Sequence, residues 1–571
     1  MIPNPLVATL LLAVASLPAT ALAGNGPGGP SGTGGGTATA ISPPAPFDTL
    51  HFSSAQNCAL CHNGLTDQAG RDVSLERDWG ATMMAHSSRD PLWQAKVASE
   101  LARAPQLAAV IDAKCSRCHM PMANVELSYS GEPIAILDGP ADGDGLLDPA
   151  HSLHAAAVEG VSCTLCHQIE DDGNLGLLEG FSGHYSIADH AVPAERTIYG
   201  PVPGPRINPM QNQAQFTPTY ALHASDSALC ATCHNLKTPF VDADGNLAST
   251  ADDPASEFAE QMPYSEWEHS AFGPGGATPR GCQSCHMPET DGVKLSNRPR
   301  WLTPVDGFSR HRFAGANTTM LDILDRNRAA LGVGSTGLAS AIDDARGMLA
   351  GAAELSLVEA VIAGAELRVE VEVVNRSGHK LPTSFPSRRV WLHLKITDSS
   401  GEVAFESGRL EDDGRIAGAD GDAEPSAYEP HYQEITSADQ VQIYEPVMGD
   451  TDGQVTHTLL RASRYLKDNR LTPAGFVKAN APADVQVAGV ALGDADFDDG
   501  VDRVAYRIPV VSDGPFIVEI ELNYQTLSWP FLHDLFQDEG LPEVARFKAL
   551  YEDGAILAET IDSLTVSVAG E

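Results

Sequence analysis

Two hydrophobic rhythms divide the chain. From about Leu355 onward, apolar residues fall on every second position. The runs are Leu367, Val369, Val371 and Val373; Val390, Leu392, Leu394 and Ile396; Phe516, Val518, Ile520, Leu522 and Tyr524; and Leu564, Val566 and Val568. Successive side chains of a strand point to opposite faces, so this period predicts strands with one buried face. Turn residues between the runs predict an antiparallel β-sandwich over 354–571. Upstream, the rhythm is helical or absent. Asp90-Pro91 predicts an N-cap and a first helical position, followed by Leu92, Ala95, Val97, Ala98 and Leu101 at helical spacing toward Pro105. Helical runs over 318–331 and 339–349 predict a connector spanning 318–353. The fold class is α+β multidomain, a helical and looped region over 47–317 preceding the sandwich.

The first residues carry a different pattern. An apolar stretch over 6–17 ends near Ala21, Leu22 and Ala23, a small-x-small site before Gly24. This predicts a signal peptide over 1–23 and an exported protein, periplasmic or extracellular. The n-region has no Lys or Arg. Residues 24–46 are rich in Gly, Pro, Ser and Thr and read as a flexible linker. The first cysteine is Cys58, far from the cleavage site, which argues against a lipid anchor.

All ten cysteines fall in five copies of one motif, CxxCH: Cys58, Cys61 and His62; Cys115, Cys118 and His119; Cys163, Cys166 and His167; Cys230, Cys233 and His234; Cys282, Cys285 and His286. A disulfide framework does not place a His after every second Cys. Zinc knuckles seldom repeat it five times, and thioredoxin-like motifs come singly. CxxCH is the attachment signature of c-type haem: two thiols add to the haem vinyl groups, and the His binds the iron as proximal ligand. Five haems between Cys58 and His286 leave too little polypeptide for separate pockets, so they must pack on one another and form much of the core.

A low-spin haem needs a sixth ligand, and the chain holds 19 histidines. The best-placed distal candidates are His154, His184, His223, His311 and His379. His51, His86, His151 and His269 are reserves. The alternative for each is a surface or hydrogen-bonded structural His. Met120, Met122 and Met287 adjoin proximal His residues and cannot reach the opposite face of the same haem, so they read as packing.

Several longer segments resemble the exported bacterial multihaem c-type cytochromes that carry a β-rich C-terminal domain. They are RDPLW (89–93), EGVSCTLCHQI (159–169), LCATCHNLKTP (229–239), CQSCHMP (282–288) and HRFAGAN (311–317). Downstream come GHKLPTSFPSRRVWLHL (378–394) and RYLKDNRLTPAGF (464–476). The resemblance runs from about Phe47 to the C-terminus and implies a pentahaem domain over 47–317. It also implies axial ligation by His311 and His379. Ser384 departs from the commoner Gly-ending version of GHKLPT. The resemblance implies electron transfer more firmly than any substrate.

Charge narrows the partners. With 36 Lys plus Arg against 76 Asp plus Glu, the formal net charge is −40, which argues against nucleic acid or an anionic membrane surface and suits basic or membrane-associated redox proteins. A generally acidic surface is the blander reading. No stretch after residue 23 is apolar enough to span a bilayer. Acidic Gly-rich loops hold Asp138, Asp142, Asp144 and Asp148, and Asp494, Asp496, Asp498, Asp499 and Asp502. Alternate carboxylates can wrap Ca2+, but neither loop matches EF-hand spacing, and solvated turns are the plainer reading. The expected function is electron carriage through five haems. Two alternatives stay open: an oxidoreductase with one open haem acting on a small nitrogen or sulfur compound, and self-assembly as a filament subunit. No CxxCK variant of the motif occurs.

Overall fold

The computed structural model describes residues 44–137, 144–250, 253–335, 337–511 and 514–570. The predicted signal peptide, most of the predicted linker, and Asp138 and Asp142 lie outside the described residues. Among those described, no helix is long and apolar enough to cross a membrane.

The N-terminal half is built from short helices joined by loops. The helix expected after Asp90-Pro91 spans Pro91–Arg103, and the Asp90 carboxylate accepts from Leu92 N at 2.9 Å. Two connector helices follow the motif region, Thr318–Arg326 and Leu338–Ala350. The first is shorter than its apolar run, because the chain turns at Asn327.

The C-terminal half holds two main sheets, from β1 (Ala353–Ala363), β2 (Glu366–Asn375), β3 (Arg389–Thr397), β4 (Val403–Ser407), β5 (Glu434–Ile435), β6 (Ile443–Tyr444), β7 (Val501–Pro509), β8 (Phe516–Gln525) and β9 (Glu559–Val568). One sheet runs β5-β7-β2-β1. The other runs β4-β3-β8-β9, with β6 also paired to β3. The registers place like faces together: Val504 opposite Val371 and Tyr506 opposite Val369, Ile520 opposite Leu394 and Leu522 opposite Leu392. Pairing is antiparallel except between β5 and β7, which run parallel. One buried cluster draws on both sheets, through Val369, Val371, Leu392, Leu394, Val504, Tyr506, Ile520 and Leu522.

The alternating pattern did not announce two helices that interrupt this half, Trp529–Phe536 and Pro542–Glu552. Their apolar face, Phe531, Leu535, Val544 and Phe547, shares a second core with Leu92 and Ala95 and with Met320, Leu324 and Ile342 of the connector. Each such side chain removed from water contributes about 1.5–3 kcal/mol. This core therefore locks the sheet half onto the helical half.

Candidate haem-binding centre

Each CxxCH motif ends on or just after a short helix: Ala55–His62, Ala108–His119, Cys163–Cys166, Ser227–His234 and Cys282–His286. Helical spacing puts residues i and i+3 on one face with i+4 beside them, so two thiols and an imidazole project together. Side-chain caps start two of these turns, Ser54 accepting from Gln56 N and Asp226 from Ala228 N. No two of the ten cysteines form a disulfide.

The motifs converge on one another. The Cys163 thiol hydrogen-bonds Cys58 and lowers its pKa, and a bond to Cys233 holds Cys118 well above the usual thiol range. Cys230 draws Cys282 down to about 7. Burial pushes Cys166 up to about 12, with Cys233 adding to the effect. Thiols of motifs one and three, two and four, and four and five therefore lie near one another.

Carbonyls orient the proximal imidazoles. His62 Nδ1 donates to Leu295 O at 2.7 Å, His119 to Ser87 O at 3.0 Å, His167 to Tyr199 O at 2.7 Å and His286 to Ala314 O at 2.6 Å. A proton fixed on Nδ1 leaves Nε2 as the free lone pair, the arrangement of a metal-ligating His. Burial holds His119 and His234 neutral, down to about 4, with His286 and Arg388 adding to the effect at His234. Trp93 stacks on His119 at 4.7 Å.

The same anchoring sorts the distal candidates. Nδ1 donates to a carbonyl in His154 (Leu146 O, 3.1 Å), His184 (Phe181 O, 2.7 Å), His311 (Ser309 O, 3.1 Å) and His379 (Lys380 O, 2.9 Å). The reserve residue His269 shares it, donating to Ser265 O at 2.8 Å. Nε2 of His154 is buried without a partner, and Nε2 of His184 accepts from Arg117 at 2.9 Å. His223 is the reverse: its Nε2 donates to Ile169 O at 2.9 Å. Among the reserves, His86 Nε2 donates to Gly80 O, His51 lies between Glu126 and Asp189, and His151 Nδ1 accepts from Leu153 N.

Two of these imidazoles face proximal ones. His311 and His167 have ring centroids 6.1 Å apart and planes 24° from parallel. His379 and His286 are 6.3 Å apart and 17° from parallel. Two metal–nitrogen bonds of about 2 Å on opposite sides of one ion require about this separation. The thiol pairs, the anchored imidazoles and the orphaned His154 Nε2 together fit c-type haem. Met120 and Met122 are fully buried in apolar clusters, as packing residues should be.

The acidic loop at 494–502 is spent on protein partners. Asp498 accepts from Lys478 N, Asp499 from Gly475 N, and Asp494 from His431 Nε2 at 3.0 Å. Asp502 accepts from Tyr444 OH at 2.6 Å, leaving its other oxygen buried without a partner. His431, Asp494 and Asp502 have the spacing of a metal cluster. However, His431 Nδ1 accepts from the amides of Gln442 and Asn469, whose oxygens are held by Tyr432 N and Glu445 N. That fixes the ring proton on Nε2, so this imidazole is a donor, not a ligand. In the other loop, Asp148 caps Ala150 N.

No family model and no curated relative matches the chain. Among solved structures, it is similar to a penta-haem cytochrome c552 from Thermochromatium tepidum. The two share 16% sequence identity, the match covers 91% of this chain and 100% of that one, and the TM-score is 0.50. At that identity the likeness is one of fold.

Proposed function

We propose that the protein is a multihaem c-type cytochrome that relays electrons through five covalently bound haems, in the periplasm or at the cell exterior. The observation that carries this reading is the set of five CxxCH motifs, with the imidazoles of His311 and His379 set 6.1 and 6.3 Å from those that complete motifs three and five. Five attachment points crowded together suit a relay, because transfer needs redox centres close to one another. Haem iron, alternating between ferric and ferrous, would supply the electron transfer.

The chain's own residues do the rest. Each pair of cysteines would fix one porphyrin, and the carbonyls of Leu295, Ser87, Tyr199 and Ala314 orient four proximal imidazoles. We assign His154, His184, His269, His311 and His379 as distal ligands, with His269 in place of His223. His311 would share an iron with His167, and His379 one with His286. The neighbouring motifs suggest that haem one lies beside three, two beside four and four beside five.

In this reading 47–317 is the haem domain, 318–353 the connector and 354–571 a sandwich that supplies His379. The signal peptide and acidic charge support export and a basic redox partner. The test is intact mass of protein matured in a host that attaches c-type haem. Five haem additions with no titratable thiol are expected. Four or fewer, with free thiols remaining, overturn the reading.

A further inference from the structure

Behind His379 lies a group of four buried charges that the relay does not explain. Glu266 stands on the helix Pro263–Glu268, in the haem-binding half. Its carboxylate accepts from Lys380 N at 3.2 Å and from Thr383 Oγ1 at 2.5 Å, and pairs with Arg470 Nη1 at 2.9 Å. Arg470 grips Asp468 with two bonds, 2.8 and 2.7 Å, and Lys380 Nζ reaches the same carboxylate at 2.6 Å. All four residues are buried, the most exposed at 3%. Two cations and two anions leave the quartet neutral.

The quartet holds both sides of the His379 loop. Lys380 follows the imidazole directly and donates its backbone N–H to Glu266. Asn375 and Ser377 donate to His379 O at 2.9 and 2.8 Å. Arg388 closes the other flank, donating to Thr383 O at 3.0 Å. Buried ion groups are costly and often replaceable by apolar residues without loss of stability.

We propose that Glu266, Asp468, Lys380 and Arg470 tune the redox potential of the haem that His286 and His379 would bind. The inference rests on the electron-carrier reading. Oxidation adds one positive charge at the iron. The two carboxylates stabilise that charge and the two cations oppose it, and low local dielectric magnifies both effects. These are tuning residues, acting through the ligand and its field.

The signs of charge removal test this. In the haem-loaded full chain, Glu266→Gln should raise one midpoint potential in a spectroscopically monitored titration. Lys380→Met should lower the same one, and the double variant should return it toward wild type. All haems should stay low-spin. Asp468→Asn and Arg470→Met carry the same two signs and stand in for a single variant that does not fold. A loop held merely for structure would shift both variants the same way, or turn one haem high-spin in both. Either result, or no shift, overturns the proposal. The His379→Ala variant separates the two ideas: if it leaves every haem low-spin, the ligand assignment itself fails.

Discussion

His311 holds its ring 6.1 Å from that of His167 and 24° from parallel, although one follows the fifth motif and the other completes the third. The chain doubles back after Cys285 to bring this about. Order along the chain is thus not order in space. A distal ligand cannot be assigned to the nearest motif in sequence.

The first prediction follows from the two facing pairs. His311→Ala and His379→Ala should each convert one haem to high spin and open it to carbon monoxide, and the double variant should convert two. Magnetic circular dichroism of the ferric protein counts them. A single variant with a wild-type spectrum removes that residue from the ligand set.

His269 and His223 give a sharper comparison. His269 has Nδ1 tied to Ser265 O, whereas His223 has Nε2 tied to Ile169 O. His269→Ala should therefore yield a high-spin haem. His223→Ala should leave five low-spin haems and cost about 1 kcal/mol of stability through the lost hydrogen bond. The reverse outcome would restore His223 as the ligand.

How legible was this in the sequence? The motifs were fully so, because covalent attachment needs fixed spacing. The strands were readable because one buried face enforces period two, as Leu367 to Val373 and Val390 to Ile396 show. Phe531, Leu535, Val544, Phe547 and Tyr551 do carry helical spacing, yet the alternating runs on either side masked it. Which imidazoles a backbone carbonyl orients was not legible, since that carbonyl has no sequence signature. Nothing local marks Glu266 as the partner of Arg470, because the pair is assembled by the fold.

His431 should make stability depend on pH. Burial pushes it down to about 4, against the opposing pull of Asp494. The unfolded chain takes up this proton near pH 6.5, the folded chain only near about pH 4. The contribution is therefore fully present above the unfolded value and shrinks as pH falls through this window, by at most on the order of 3 kcal/mol. Calorimetric Tm should drop between about pH 7.5 and about pH 4.5. In His431→Gln the drop should be smaller. An equal drop in both proteins would assign the pH dependence to other groups.

Arg103 is a polar tie between the two halves. It ends the helix Pro91–Arg103, and its guanidinium meets Asp534 at 2.7 Å and Asp538 at 2.7 Å, donates to Asp534 O at 2.9 Å and reaches Thr458 Oγ1 at 2.7 Å. Ser99 adds a bond to Asp538 at 2.6 Å. The three charged groups are about a quarter exposed, so screening reduces the Coulomb gain. The planar fork nevertheless satisfies several acceptors at once. Arg103→Ala leaves two carboxylates facing each other and should cost about 2 kcal/mol. Arg103→Lys should recover only part, because an ammonium cannot span both acids. Denaturant unfolding of the haem-loaded protein measures both variants, and adding Asp538→Asn to Arg103→Ala should relieve part of the loss. If Arg103→Ala unfolds at the wild-type midpoint, the apolar core around Leu92, Met320 and Phe547 holds the halves together unaided.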